Sequence, residues 1–253
     1  MATRVPNDRA LRGERDGEEP SPPALVSSIL LAAPLFASLE PSQIALVEAA
    51  ARPIRKGRSA VFFRQGEPAE NLYLVLDGAV KIGQVTVEGQ PVALRYARAG
   101  DVFGCVALFG AQTYPATATA VKRCDALVWS RREVERLISL VPRIASNALS
   151  ILGDELATVR ARYLELATER VERRIARALL RLVSPSSLRA SESVRIELPL
   201  SRQDLAELAG TTLHTVSRVL SAWEHRGLVE SGRLRVTIRS PRDLLRIAEA
   251  VEA

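Results

Sequence analysis

The stretch LSRQDLAELAGTTLHTVSRVLSAWEHRGL, residues 200–228, predicts two helices joined by a tight turn. Ser201, with Asp204 three residues later, is close to the capping-box pattern of a helix start. Gly210 lies in the turn, where a positive φ is often required, and Thr212 can cap the second helix. This order of helix, glycine turn and helix is the helix-turn-helix pattern.

The second predicted helix has one apolar face and one polar face. The apolar residues recur at helical spacing and should face the core: Val216, Val219, Leu220 and Trp223. The residues left toward the outside are Leu213, His214, Ser217, Arg218 and Ser221. A recognition helix reaches base edges from its N-terminal part, so this face indicates DNA binding. The alternative is an ordinary helical hairpin, because glycine-turned hairpins are common.

Length and charge fit a two-domain protein that contacts nucleic acid. The chain has 253 residues and a formal net charge of +6. From residue 169 onward there are 15 Arg, no Lys and 11 acidic residues, so +4 lies in the last third. No apolar run reaches the length of a membrane span, and the charged N-terminus is unlike a signal peptide. We therefore expect a cytoplasmic protein without membrane contact.

The sequence offers little for catalysis or metal binding. Its two cysteines, Cys105 and Cys124, form no CxxC, which argues against an iron–sulfur cluster or a zinc site held mainly by cysteine. No GxSxG, HExxH or Walker loop occurs. A Cys–His nucleophile would have to join a cysteine to His214 or His225 across two domains. We expect no enzyme.

The pattern of apolar and polar residues changes near residue 53. Residues 1–23 are polar and proline-containing and predict a disordered tail, and residues 24–51 are helical with a break between Leu39 and Pro41. Residues 53–130 carry short apolar or alternating runs separated by glycines, which predicts an antiparallel sandwich or barrel. The expected strands are 61–64, 72–76, 80–87, 92–96, 102–103, 117–121 and 126–129.

A helix at 131–140 precedes a long one that Pro142 opens. Its apolar residues step by alternating intervals of 4 and 3, which is a heptad seam and favours a parallel coiled-coil dimer. The alternative is a helix lying on its own domain. The seam residues are Ala145, Leu149, Leu152, Leu156, Val159, Tyr163 and Leu166.

The last third is predicted to hold a winged domain. A hinge at 168–169 leads into a helix at 169–183, a loop at 184–193 and a strand at 194–198. After the second helix of the hairpin, runs at 228–230 and 234–238 form a β-wing whose arginines can reach phosphates, and Pro241 begins a final helix. These arginines are Arg233, Arg235 and Arg239.

Together these features resemble the CRP/FNR family of bacterial transcription factors. The resemblance rests on RQGEPAENLYLVLDGAVKI (64–82), RAGDVFG (98–104), the seam helix, RVERRIARALLRL (170–182) and residues 200–229. It implies an α+β fold with an N-terminal antiparallel, jelly-roll-like β-roll that senses an effector, a long dimerisation helix and a C-terminal winged helix-turn-helix. The expected limits are a tail at 1–23, the roll with flanking helices at 24–140, the dimerisation helix at 141–167 and the DNA-binding domain at 168–253.

The resemblance also implies partners and DNA contacts. Homodimers of the family bind palindromic half-sites in double-stranded DNA and recruit or block RNA polymerase. Its FNR branch reads bases with Glu-x-x-Ser-Arg, and the matching positions here are His214, Ser217 and Arg218. The resemblance therefore implies a TTGA-like half-site. The base preference should be altered at the position that His214 faces, because histidine replaces the glutamate there. By the same resemblance Arg202 and Thr212 contact phosphates, and Leu213 belongs to the same surface.

The effector is expected not to be cyclic AMP. Readers of cyclic AMP in this family carry Gly-Glu after the Phe-Gly of the roll, and an Arg-Ser pair further along. Here Cys105 replaces the glutamate and Pro115-Ala116 replace the Arg-Ser pair, so an anionic phosphate would meet no cation. The candidate pocket consists of Gly104, Cys105, Val106, Pro115 and Ala116.

The sequence leaves the identity of the sensed signal open. The N-terminal segment lacks the cysteines of the oxygen-sensing members. A haem that senses nitric oxide remains an alternative, with an axial ligand from a cysteine, a tyrosine or the single methionine. Cys105 is either a redox-reactive thiol or a small buried residue. Cys124 follows two cations that could lower its pKa, and the alternative, which we favour, is a structural cysteine at a strand end. A cyclic-nucleotide-type regulatory module without DNA function is a further alternative.

Overall fold

A computed structural model of the chain describes residues 23–106, 112–183 and 193–249. The expected N-terminal tail therefore lies outside the described residues, apart from Pro23. Nearly all of the expected loop at 184–193 lies outside them as well.

The N-terminal helices pack on the β-domain through a tryptophan. They are α1 (Pro23–Ala32), a 3-10 helix (Pro34–Phe36) and α2 (Pro41–Ala49), so the predicted break before Pro41 is confirmed. Trp129 is fully buried and its Nε1 donates to the Val47 carbonyl at 2.9 Å. The Phe36 ring lies 5.6 Å from the Trp129 ring between centroids. These contacts fix the helices to the roll.

The expected antiparallel β-structure consists of two sheets. Their strand orders are β1-β8-β3-β6 and β2-β7-β4-β5, and all pairs are antiparallel. The strands are β1 (Arg52–Lys56), β2 (Val61–Phe63), β3 (Asn71–Asp77), β4 (Ala79–Val85), β5 (Pro91–Arg98), β6 (Val102–Phe103), β7 (Thr117–Ala120) and β8 (Cys124–Ser130).

Strand β1 was not expected from the sequence. Its residues RPIRK include three cations and lack an apolar alternation, because the strand lies at a sheet edge. Pairing with β8 supplies its stability: Arg55 lies opposite Asp125, and the two side chains form an ion pair at 2.5 Å. A cross-strand contact of this kind leaves no local signal in the sequence.

Six further helices and a small sheet follow among the residues that the structure describes. The three-stranded sheet has the order β10-β11-β9 and forms the expected wing. The expected strand at 194–198 is only two residues long, and the helix expected at 169–183 begins at Val171. The elements are α3 (Arg131–Leu140), α4 (Arg143–Thr168), α5 (Val171–Arg181), β9 (Val194–Arg195), α6 (Arg202–Ala209), α7 (Leu213–His225), β10 (Val229–Gly232), β11 (Arg235–Ile238) and α8 (Pro241–Glu249). The expected α+β fold is confirmed. Among the helices that the structure describes, none is both long and apolar enough for a bilayer.

The junction between α4 and α5 is held by ion pairs. Glu169 breaks the helix with extended backbone angles, φ −103° and ψ 148°. Glu165 lies 2.9 Å from Arg181 and 3.7 Å from Arg177. Glu169 lies 3.2 Å from Arg177 and 3.5 Å from Arg173. Two carboxylates therefore connect three guanidinium groups across the break.

Gly210→Ala should lower the free energy of unfolding by about 1 kcal/mol or more, because a side chain is disfavoured in the left-handed conformation. Gly210 has φ 60°, and a new Cβ would lie 2.5 Å from a Leu166 methyl group. Gly153→Ala is the matched control: it lies within α4, and apart from the neighbouring residues and backbone of its own helix no atom lies within 4 Å of the added carbon. That change should stabilise by about 0.5–1 kcal/mol. Urea unfolding measures both, and shifts of the same sign would contradict the argument.

Candidate nucleic-acid interface and effector cavity

The helix-turn-helix is positioned by the caps that the sequence predicted. Ser201 Oγ accepts from the Asp204 backbone N–H at 3.0 Å, and the Asp204 carboxylate accepts from the Ser201 N–H at 3.1 Å. Gly210 ends α6 in the left-handed conformation. Thr212 Oγ1 accepts from the Thr215 N–H at 3.2 Å. These contacts confirm the predicted capping box, turn and second cap.

Helix α7 buries one face and exposes the other. Val216, Leu220 and Trp223 are fully buried, and Trp223 Nε1 donates to a Glu172 carboxylate oxygen at 2.7 Å. This contact ties α7 to α5. The expected outer residues lie on the opposite face near the helix N-terminus: Leu213, His214 and Arg218 are exposed, and Ser217 and Ser221 are half-buried. Val219, expected in the core, is half-buried.

The wing is joined to both helices of the hairpin. Ser231 Oγ donates to Glu224 of α7 at 2.6 Å, and Arg202 Nη2 donates to Ser231 Oγ at 3.2 Å. Arg202 is thus exposed beside the wing, as a phosphate contact requires. Arg239, one of the expected phosphate contacts, is instead engaged within the wing, where its Nε donates to Glu230 at 3.0 Å. The sequence analysis missed this ion pair because it forms across the two paired strands of the hairpin.

Helix α4 has one face on the roll and one face in solvent. Ile144 and Ala148 are buried, and Asn147 Nδ2 donates to the carbonyls of Leu35 and Ala37 at 3.0 Å. On the other face, six seam residues are 46–69% exposed, which is unusual for large apolar side chains on one stripe. They are Leu149, Leu152, Leu156, Val159, Tyr163 and Leu166. The helix therefore lies on its own domain and still leaves the heptad stripe uncovered.

A small cavity lies between the roll and α4. Its volume is about 40 Å³, and Cys105 and Val106 are the only residues of the predicted pocket that line it. Gly104 lies behind, in the left-handed region, where a Cβ would be 2.8 Å from the Asn71 carbonyl. Pro115 is exposed, and Ala116 is buried in the roll interior. The other lining residues are Leu35, Ala148, Ile151, Leu152 and Glu155.

A cation that the sequence analysis missed lies beside this cavity. Arg95 Nη2 is 3.5 Å from Glu155 Oε1 and donates to the Val102 carbonyl at 2.8 Å. The sequence analysis did not identify this cation, which is already engaged by Glu155 and the Val102 carbonyl. Arg95 lies on β5, away from Pro115 and Ala116, which occupy the positions of the Arg-Ser pair. Its partner Glu155 is on α4, so the pair connects the roll to the seam helix.

The roll interior is filled by aromatic rings. The rings of Phe63 and Tyr114 stack at 3.7 Å, and those of Tyr73 and Phe103 at 4.9 Å, between centroids. The Tyr114 hydroxyl donates to the Asn71 carbonyl at 2.7 Å. Pockets that hold drug-sized ligands usually exceed roughly 300 Å³. The cavity at Cys105 is far smaller, so the described residues do not fit a haem in this conformation.

Both thiols are poor nucleophiles at neutral pH. Burial raises the pKa of Cys105 to about 12, and the nearby Arg95 offsets only part of this. Burial also raises the pKa of Cys124 to about 12, with Asp125 and Asp77 adding to the effect of burial. The lowered pKa considered for Cys124 is therefore wrong, because burial and two carboxylates outweigh Lys122.

A lysine of the roll binds the helix-turn-helix. Lys81 Nζ, on β4, donates to Asp204 Oδ1 at 2.6 Å and to Glu207 Oε2 at 2.7 Å, both on α6. The three side chains are only 24%, 20% and 6% exposed. Burial lowers the pKa of Lys81, but the hydrogen bonds to both carboxylates outweigh it and the net pKa is raised. Burial raises the pKa of Asp204, but Lys81 and Ser201 bring it below its ordinary value.

Comparison with known proteins identifies the architecture. Residues 53–140 match the cyclic nucleotide-binding domain, and residues 173–247 match the Crp-like helix-turn-helix domain. The chain is 30% identical over 215 residues to the cyclic AMP receptor protein of Thermus thermophilus, covering 85% of this chain and 96% of that protein. The chain belongs to the CRP/FNR family of transcription regulators.

Other CRP/FNR proteins are similar along their whole length. A CRP-like cAMP-activated global transcriptional regulator of Mycobacterium tuberculosis is 27% identical over 223 residues, covering 88% of this chain and all of that one. The solved structure of FixK2 from Bradyrhizobium japonicum superposes with a TM-score of 0.69 at 25% identity, covering 80% of this chain and 99% of that one. The CRP/FNR assignment and the winged helix-turn-helix make this chain a DNA-binding transcription regulator.

Native Cys105 and Cys124 should react with iodoacetamide at pH 8 far more slowly than free cysteine, because their raised pKa values leave little thiolate. The same protein in urea is the control, since both thiols then return to a pKa of about 8.5. Mass spectrometry of the labelled peptides measures the two rates. A native rate equal to the rate in urea would refute the assignment of both thiols as structural.

Proposed function

We propose that the protein is a homodimeric regulator that reads a palindromic TTGA-like site under control of a signal sensed by the β-roll. The observation that carries the proposal is the exposed face of α7. His214, Ser217 and Arg218 lie together there, and within the described residues neither His214 nor Arg218 forms an ion pair. Double-stranded DNA and RNA polymerase are the partners that this role requires.

Each residue of this face has a distinct chemical role. Arg218 can donate both guanidinium N–H groups to O6 and N7 of a guanine, the commonest specific contact in the major groove. Ser217 contacts the neighbouring thymine. His214 can donate to guanine N7 or to a phosphate, whereas a glutamate at that position would accept from cytosine N4. The base that His214 faces should therefore differ from the cytosine-paired preference of the FNR branch.

The dimer follows from the uncovered seam. A palindromic site needs two recognition helices about 34 Å apart, and a parallel pair of α4 helices relates them by a two-fold axis. Burying six large seam residues removes their apolar surface from water at roughly 25 cal/mol per Å². The close fit of the 4-and-3 spacing to a heptad supports pairing along the whole stripe.

The signal acts where the roll touches α4. A ligand that enters at Cys105 would meet Ile151 and Leu152 of α4 on the opposite wall. It would also compete for the Arg95–Glu155 ion pair, which joins the same two elements. Either change alters how α4 lies on the roll and therefore the placement of α5 to α7. Cyclic AMP is not the proposed effector, because Cys105 offers its ribose no carboxylate and Pro115-Ala116 offer its phosphate no cation.

Arg218→Ala should weaken binding to a TTGA-N6-TCAA duplex by about 1–3 kcal/mol, because a bidentate guanine contact is lost. Binding to a scrambled duplex at the same salt should change little. Arg246→Ala is the control, since this arginine on α8 is paired with Asp243 and 80% exposed at its side chain. Fluorescence anisotropy without added effector measures all three proteins. An equal loss on both duplexes would make Arg218 a phosphate contact only.

Leu156→Glu should convert the dimer to a monomer, because the substitution places a charge in the seam. Ala161→Glu is the matched control: it adds the same charge to an exposed position of α4 outside the seam. Analytical ultracentrifugation gives the mass of each variant, and circular dichroism shows whether it folds. A folded Leu156→Glu variant that stays dimeric would place the interface elsewhere.

A further inference from the structure

Three elements of the DNA-binding domain meet at one hydroxyl group. Ser231 lies on strand β10 of the wing, and its Oγ donates to Glu224 Oε1, near the end of α7, at 2.6 Å. The Ser231 backbone N–H donates to the same carboxylate oxygen at 2.7 Å. Arg202, the first residue of α6, donates from Nη2 to Ser231 Oγ at 3.2 Å. One serine side chain therefore connects a carboxylate of α7 to a cation of α6.

The chemistry of the three groups determines the direction of these hydrogen bonds. A guanidinium can only donate, and an ionised carboxylate can only accept. Hydrogen bonds from the Ser231 side chain and backbone keep the pKa of Glu224 below its ordinary value, so this carboxylate is ionised at neutral pH. The single hydroxyl proton of Ser231 therefore points at Glu224, and its lone pairs are left to accept from Arg202.

The arginine at the end of this chain of hydrogen bonds is held but not consumed. Arg202 is exposed, whereas Ser231 and Glu224 are half-buried, and Ser231 is fixed opposite Val236 in the β10–β11 pair. Within the described residues, the bond to Ser231 is the only hydrogen bond of the Arg202 side chain, so its other N–H groups can reach a phosphate. A long side chain that is already held loses less conformational entropy when it binds.

We propose that Glu224 and Ser231 are positioning residues that hold the Arg202 guanidinium in place for a DNA phosphate before the DNA binds. The proposal rests on the proposed function, in which α7 lies in the major groove and Arg202 contacts the backbone beside it. Glu224 acts through Ser231, and Ser231 acts through Arg202. A carboxylate close to DNA would otherwise only repel the phosphates, so its effect on binding reveals whether it positions the arginine.

The sign of one substitution separates positioning from electrostatic repulsion. Removing a carboxylate beside DNA reduces repulsion and by itself strengthens binding. Glu224→Ala should instead weaken binding when Arg202 is present, because Ser231 and Arg202 lose their fixed geometry. In the Arg202→Ala background the same change should strengthen binding or leave it unchanged. Fluorescence anisotropy at fixed salt measures all four proteins, and an effect of equal sign and size in both backgrounds would overturn the proposal.

Ser231→Ala completes a double-mutant cycle with Arg202→Ala. It should weaken DNA binding roughly threefold to tenfold when Arg202 is present and should have no effect in the Arg202→Ala background. Ser231→Thr keeps the hydroxyl and should restore wild-type affinity. An equal loss in both backgrounds would make Ser231 itself a phosphate contact and overturn the proposal. An Arg202→Ala variant with wild-type affinity would overturn it as well.

Ser240→Ala is the matched control for the lost hydroxyl. Ser240 is half-buried in the same domain, and its Oγ donates to a carboxylate oxygen of Asp243 at 2.6 Å, the same distance as between Ser231 and Glu224. It removes an equivalent hydrogen bond away from Arg202, so DNA affinity should stay at the wild-type value. Circular dichroism establishes that each variant folds. A loss of affinity equal to that of Ser231→Ala would assign the effect to domain stability and overturn the proposal.

Failure of the positioning residues and failure of the proposed DNA site give different results. If the wild type does not distinguish the TTGA-N6-TCAA duplex from a scrambled one, the site proposed for α7 is wrong. The cycle of Ser231→Ala and Arg202→Ala on the scrambled duplex still tests the positioning, because phosphate contacts do not depend on sequence. Coupling should appear on both duplexes, and its absence from both would overturn the positioning while leaving the site of α7 intact.

Discussion

The placement of the helix-turn-helix against the roll depends on the half-buried charge of Lys81. A buried ammonium is costly unless it is paired and hydrogen-bonded. Only the docked position of α6 supplies both carboxylates, from Asp204 and Glu207. Apolar packing supports the same contact, since Ala79 and Tyr96 of the roll share one core with the C-terminal residues. The hydrophobic contact buries apolar surface, and the charged contact favours one orientation of α6 on the roll.

Asp204 shows why the sequence revealed half of this arrangement. Its role in the capping box is local, three residues from Ser201, and was predicted from the pattern alone. Its bond to Lys81 joins residues 123 apart and leaves no periodic signal. The same residue thus starts α6 and docks it. A change at this position would alter the helix start and the domain contact together, which local reasoning would attribute to the cap alone.

The predictable features are those that repeat along the chain. The heptad of α4, the faces of α7 and the glycine-separated strands follow from spacing, and the fold was predicted from them. Strand β1 was missed because its stability comes from the β8 partner, through pairs such as Arg55–Asp125. Arg95 was missed because it pairs with Glu155, a residue of the cavity lining, from a strand outside the motif that carries the resemblance. Of the predicted pocket, Cys105 and Val106 line the cavity, whereas Pro115 and Ala116 lie elsewhere in the roll.

The ion pairs across the α4–α5 break determine how the two halves of the molecule move. Glu165 and Glu169 hold Arg173, Arg177 and Arg181 across the two extended residues of the break, 169 and 170. The ion pairs therefore favour one angle between α4 and α5, so a rotation of α4 would turn α5 with it. Because salt screens the more exposed of these charges, the stiffness of this junction falls as ionic strength rises. The change in DNA binding that a given signal produces would then depend on the salt concentration of the cell as well as on the signal.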